Sequence, residues 1–224
     1  FLVHPQGAAT RRVGTQHIAE VKDSSKKTRL IPFEFSTTQT YILEFGDQYM
    51  RVYKDKGQVL SGGSAFEIST PYLEAELFDI KFAQSADVLY LCHPNHDVRK
   101  LSRTGHTSWT LATVSFSGSP SLPISGANNR PSCVSFFEQR LVFANTNNNP
   151  QTLWFSKSGD YENFTTGTNA DDAMIYTIAS NQVNAIQYLK AVRTLIVGTS
   201  GGEFTVSADG TDASITPTNV TIKR

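Results

Sequence analysis

Thr40-Tyr-Ile-Leu-Glu-Phe-Gly-Asp-Gln-Tyr-Met-Arg-Val-Tyr53 reads as two strands joined by a tight turn, with Gly46-Asp47 as the turn signal. Its apolar runs are short and rich in β-branched and aromatic residues, which favours strands over helix. The pattern returns three times. Asp87 to Cys92 leads through His93 to Asp97 into Val98 to Ser102. Arg140 to Ala144 leads through the Asn-rich stretch 145–150 into Thr152 to Ser156, and Thr194 to Gly198 turns at Ser200-Gly-Gly202 into Glu203 to Ser207. The first apolar residues of the pairs, Tyr41, Val88, Leu141 and Leu195, lie 47, 53 and 54 residues apart.

Working outward, each pair is preceded by a further candidate strand: Leu30 to Phe35, Phe78 to Phe82, Cys133 to Phe137 and Ala185 to Leu189. A fourth short strand is expected at Trp109 to Val114 after the second pair and at Glu162 to Thr165 after the third. The best helical stretch, Tyr72 to Phe78, is short. Four-stranded units recurring at this period are the signature of β-propeller blades, which stack radially because one small twisted sheet cannot bury both its faces alone. The expectation is therefore an all-β chain, one propeller-like region over residues 1–224 with antiparallel blades near 27–66, 67–118, 131–168 and 181–224. A β-sandwich with long excursions is the structural alternative. Four blades are few for a closed propeller, and Phe1 to Val3 and Val220 to Arg224 read as strands at the chain ends, so an incomplete portion of a longer polypeptide is expected.

Composition narrows the classes. Only 18% of residues are charged, so Ser, Thr, Asn and Gln must supply much of the wet surface, as on half-exposed sheets. Fourteen Phe and eight Tyr argue against disorder. Twenty basic and twenty acidic residues cancel, which excludes a strongly basic nucleic-acid or membrane footprint. The basic clusters, Arg11-Arg12, Lys26 to Arg29 and Arg99 to Arg103, are short enough to be ordinary surface. No apolar run approaches the roughly 18 residues of a bilayer span. Cys92 and Cys133 fit a reduced compartment and two isolated buried thiols; their spacing neither favours nor settles against a disulfide.

Candidate chemistry is sparse. Cys92-His93-Pro-Asn-His96, with His106 further on, could supply two or three zinc ligands, but a second ligand pair at zinc-finger spacing is missing, so a polar hairpin loop is the better reading. There is no Gly-x-Ser-x-Gly elbow. Asp171-Asp172 sits in a Thr/Asn/Gly-rich loop, where solvation or helix capping explains it, and Glu74/Glu76 is the other carboxylate pair. Gly198 to Gly202 lacks the Lys of a phosphate loop and reads as a turn. Ser156-Lys-Ser-Gly-Asp-Tyr-Glu-Asn-Phe164 resembles the Asp-box turn of sialidase-like propellers, with Gly displaced to precede Asp, and supports blade turns. No catalytic, cofactor-binding or metal-binding residue is assigned, no cofactor is expected, and the chain is read as a non-enzyme.

Several longer strings carry a family likeness: Phe1 to Thr15, Arg29-Leu-Ile-Pro-Phe-Glu-Phe-Ser36, Tyr41 to Asp47, Phe82-Ala-Gln-Ser-Ala-Asp-Val-Leu-Tyr90, Arg99 to Arg103, Gln182-Val-Asn-Ala-Ile186 and Val197 to Glu203. Over essentially its whole length the chain resembles the tail tubular protein B, or tail nozzle, family of phage and prophage structural proteins. The resemblance implies a virion structural protein made in the host bacterial cytoplasm, assembled as a homo-oligomeric ring, usually a hexamer. That ring would form the distal DNA-ejection conduit and contact the adaptor and tail fibre proteins, with DNA passing but not specifically bound and no membrane insertion. Zero net charge is compatible with a lumen that does not hold DNA by counterion release. The alternative is a propeller carbohydrate-binding or receptor-recognition module of a phage tail tip, which would need Trp109, Trp154 or Tyr161 beside acidic groups in a pocket. A tip or baseplate protein of a longer-tailed phage is a third reading.

Overall fold

The structure, a computed structural model, describes residues 2–118, 120, 122–179, 183–210 and 213–224. Phe1, Asn181 and Gln182, each part of a stretch singled out above, lie outside the described residues. Among the described residues, alternating burial along short strands builds four antiparallel sheets of four or five strands, each formed from consecutive chain segments, besides two two-stranded ribbons. The first contains Arg29–Glu34, Thr40–Gly46 and Tyr49–Lys54, whose far edge pairs with Gly57–Gln58 and then Glu67–Ser69. The second contains Lys81–Ser85, Val88–His93, His96–Gly105 and Ser108–Thr113. The third contains Cys133–Phe137, Arg140–Ala144, Thr152–Phe155 and Met174–Thr177, and the fourth Ile186–Ala191, Leu195–Thr199, Gly202–Ala208 and Val220–Lys223. This is an all-β fold of propeller-like blades.

Period-two alternation puts opposite faces of each sheet into different cores. Leu89 and Leu91 of the second blade pack with Ile31, Phe33, Leu43 and Val52 of the first. Tyr90 and Cys92, one residue out of phase, pack with Val134, Leu141, Phe143 and Trp154 of the third. Val142, Leu153 and Phe155 then face Leu195, Val197 and Val206 of the fourth. Each such fully buried side chain contributes about 1.5–3 kcal/mol relative to leaving it in water. The first strands of the second, third and fourth sheets lie innermost and touch one another, and Gln84 of the second sheet bonds the Glu34 backbone of the first. Arg29, Phe82, Val134 and Leu189, one from each inner strand, line a common axial cavity of ≈ 160 Å³. Each sheet therefore runs outward from the axis, and the chain returns inward before the next blade begins.

The structure moves several sequence expectations. Gly46 pairs with Tyr49, so the first turn is Asp47-Gln48, not Gly46-Asp47. The reason is steric: a Cβ on Gly46 would meet Tyr49 Cε1 at 2.2 Å, so glycine serves the strand beneath that ring while Gln48 takes the positive φ of 62°. His93 pairs with His96, which shortens the expected 93–97 connection to Pro94-Asn95. Phe78 belongs to a 3-10 helix, Glu74–Asp79, and the strand expected from Phe78 begins at Lys81.

Glu162 to Thr165 is not the fourth strand of the third blade; Met174–Thr177 is, so this sheet continues past residue 168. The apolar signal at Phe164 comes from a plug that stacks on Phe143 at 5.7 Å, and the segment is held to other backbone by an isolated bridge, Ser117 to Asn163, and by hydrogen bonds with Lys157 and Ala173. The first sheet likewise extends past residue 66 to include Glu67–Ser69. Leu2–Val3 pairs with Ala9–Thr10 as a separate exposed ribbon, and the last strand ends at Lys223.

Candidate functional site

The two-residue turn Pro94-Asn95 sets His93 and His96 directly opposite one another, on the face of the second blade that looks toward the first. Their ring centroids are 5.2 Å apart. The 3-10 helix that links the two blades brings in Glu76, which sequence reading had paired with Glu74 instead. Glu76 Oε2 accepts the Leu73 amide at 3.0 Å, half of a capping box, and His96 Nε2 at 2.8 Å. Its Oε1 accepts from Asn95 Nδ2 at 3.1 Å. Burial works against the ionised carboxylate, but His96, the Leu73 amide and Asn95 outweigh it and hold Glu76 down at about 2.

His93 is 2% exposed. Its Nδ1 accepts the Asn95 amide at 3.1 Å, which leaves the ring proton on Nε2. That Nε2 is buried with no hydrogen-bond partner. Burial lowers the His93 pKa against the opposing pull of Glu76, favouring the neutral ring. Tyr72, fully buried, stands edge-on to His96 at 5.1 Å, and its hydroxyl also lacks a partner. One candidate ligand atom each from Glu76, His93 and His96 lies within 4.8 Å of the others.

The other members of the sequence constellation go elsewhere. Cys92 points to the opposite face, into the core against the third blade, where burial pushes its thiol well up. His106 sits in another turn with Nδ1 2.7 Å from the Tyr41 hydroxyl. Cys92 and Cys133 are both free and buried. Glu76 was missed because its signal is a fold-level one: three residues after Leu73 it looks only like a helix-start acid.

The remaining candidates are used structurally. Asp172 accepts the Asn169 amide at 3.0 Å and pairs with Lys157 at 3.1 Å, so it closes a turn and does not cap a helix. Behind it, Arg140 is 2% exposed and donates to the carbonyls of Ser156, Ala170 and Asp172 at 2.6–2.8 Å. In the Asp-box-like turn, Ser156 Oγ accepts the Leu141 amide at 2.9 Å, and Asp160 accepts from Asn163 at 3.1 Å. Lys100 pairs with Glu162 and Arg103 with Asp87, so the Arg99 to Arg103 cluster is largely compensated. Trp154 is fully buried and donates to the Leu122 carbonyl, while Trp109 is 7% exposed and donates to the His106 carbonyl. Neither indole is a platform for a sugar ring.

No protein-family model matches the chain, and no curated protein does. Among solved structures the chain is similar to the crystal structure of the RRP9 WD40 repeats, at 10% identity and a TM-score of 0.43, over 81% of this chain and 51% of that one. The chain thus spans about half the length of that structure. No described helix is long and apolar enough to cross a membrane.

Proposed function

We propose that this chain is a non-catalytic propeller module that works through protein–protein contacts. The observation that carries the reading is the outward face of the first blade. Leu30 is 62% exposed and Ile42 40% exposed there, and together with Ile18 and Val21 they line a groove of ≈ 520 Å³. The same strands bury their other face, Ile31, Phe33 and Leu43, against the second blade. An apolar sheet face of this kind matches what blades use to pack on one another. Between these outward residues, Glu44 is sealed under the Tyr49 and Tyr53 hydroxyls at 2.6 and 2.5 Å.

Within this reading, the nozzle-like strings support a finer placement, a subunit of a phage tail ring around the DNA-ejection conduit, touching adaptor and fibre proteins. A receptor-recognition role at a tail tip is the second form of the same module, favoured by the burial of Trp109 and Trp154 only where the receptor is protein and not glycan. Mass measurement and negative-stain imaging of the purified chain test the proposal. Rings or defined oligomers that dissolve in a Leu30→Asp/Ile42→Asp variant with an unchanged β-sheet spectrum are expected. A monomer that binds glycans as well as before in that variant would overturn it.

A further inference from the structure

The cluster between the first two blades has the composition of a cation site. We propose that Glu76, His93 and His96 bind one divalent metal ion of the zinc type, which clamps the inter-blade 3-10 helix to the hairpin of the second blade. Two imidazoles and a carboxylate are a donor set that suits zinc and its first-row neighbours. Ligands about 2.0–2.1 Å from a tetrahedral ion stand roughly 3.3 Å apart, so donors now within 4.8 Å of one another need to close by at most about 1.5 Å. The proposal requires rotation of the Glu76 and His96 side chains, the more exposed two, to close that distance.

Independent support comes from His93, 2% exposed with an Nε2 that nothing in the protein satisfies. A buried polar atom left without a partner is costly, and a ligand is one of the few things that explains its retention. Access is from the opposite side, where the Glu76 and His96 side chains are 16% and 21% exposed.

The net proton count is unchanged, with solvent water carrying a proton from one ring nitrogen to the other. On binding, the Asn95 amide, on an exposed residue, turns from His93 Nδ1 to water, Nδ1 takes a proton from water as Nε2 gives its own up, and the freed Nε2 lone pair takes the ion. His96 likewise shifts to Nδ1, through water, the proton that its Nε2 donates to Glu76 before binding, and the Glu76 oxygen that accepted it becomes the third ligand. Both rings enter neutral.

The test is calorimetric titration of the full chain, stripped with EDTA and dialysed, with ZnCl2. Saturable binding of one ion per chain and a zinc-dependent rise in melting temperature are expected. Glu76→Gln and His96→Gln, at the accessible rim, should each weaken binding by roughly 10- to 100-fold or more. A His4→Gln/His17→Gln/His106→Gln variant, which removes every other histidine, should bind as the parent does. No saturable binding, or binding lost in that triple variant and kept in the two rim variants, overturns the proposal. His93→Gln is left aside because its burial endangers folding.

Discussion

A Cβ on Gly46 would stand 2.2 Å from the Tyr49 ring, and one on Gly198 would stand 2.0 Å from the Tyr188 ring. The clashes look alike, and each ring donates to a glutamate, yet Tyr49 is 4% exposed and tied to the buried Glu44, whereas Tyr188 is 44% exposed and tied to Glu203 at the surface, where ring and partner can move together. Gly46→Ala should therefore destabilise by about 1–3 kcal/mol, and Gly198→Ala by clearly less, in urea melts of the two variants. Glu76 gives the second expectation at this scale. Its folded pKa near 2 lies below the ordinary 4.5, so its contribution is complete above about pH 4.5 and is lost as the pH falls toward 2. Measured in EDTA, acid melts of the parent should show stability falling across that window. Glu76→Gln should flatten that part of the profile; an unchanged slope would place the acid sensitivity elsewhere. The histidine pair was legible in the sequence. Its third member was not, because no local pattern says that a connector between blades will lie over a hairpin turn.

At the scale of elements, the hairpins were readable and the excursions were not. Cys133–Phe137 and Arg140–Ala144 fall where alternation and β-branched content put them, because both signals are local. Glu162 to Thr165 carries a strand-like signal without being a strand, because an apolar residue in a polar run looks the same whether it joins a ladder or plugs a core. The loop that follows is organised from a distance by Arg140, whose guanidinium gathers carbonyls of Ser156, Ala170, Asp171 and Asp172. Burial lowers the Arg140 pKa somewhat, yet no reading of residues 166–173 alone could reveal that centre. Arg140→Ala leaves those carbonyls without donors and should destabilise by about 3–5 kcal/mol. Arg140→Lys should recover little of the loss, since an ammonium cannot reproduce the planar fork. Limited proteolysis should then cut first within 166–173; cleavage at another site would show that the loop has its own support.

For the whole molecule, the repeat spacing pointed to propeller-like sheets, and among the described residues each large sheet is a consecutive stretch of chain. Spacing could not reveal which strand is innermost, because that depends on how sheets face one another. Among the described residues, the three cores join the first blade to the second, the second to the third and the third to the fourth. Stability is then close to a sum over neighbours along a line. The inward return of the chain after each outermost strand gives this arrangement a mechanical character. Tension between the ends loads one end blade at a time, pulling the rim strand of the fourth blade or the inner strand of the first while the remaining sheets stay packed on their neighbours. Force spectroscopy should record a series of separate ruptures, each freeing roughly 50 residues, or about 170 Å of extended chain. One rupture for the whole chain would mean that the blades yield together. A polypeptide that gives way in such steps dissipates work as it lengthens, so a pull on one end is spent before it reaches the other.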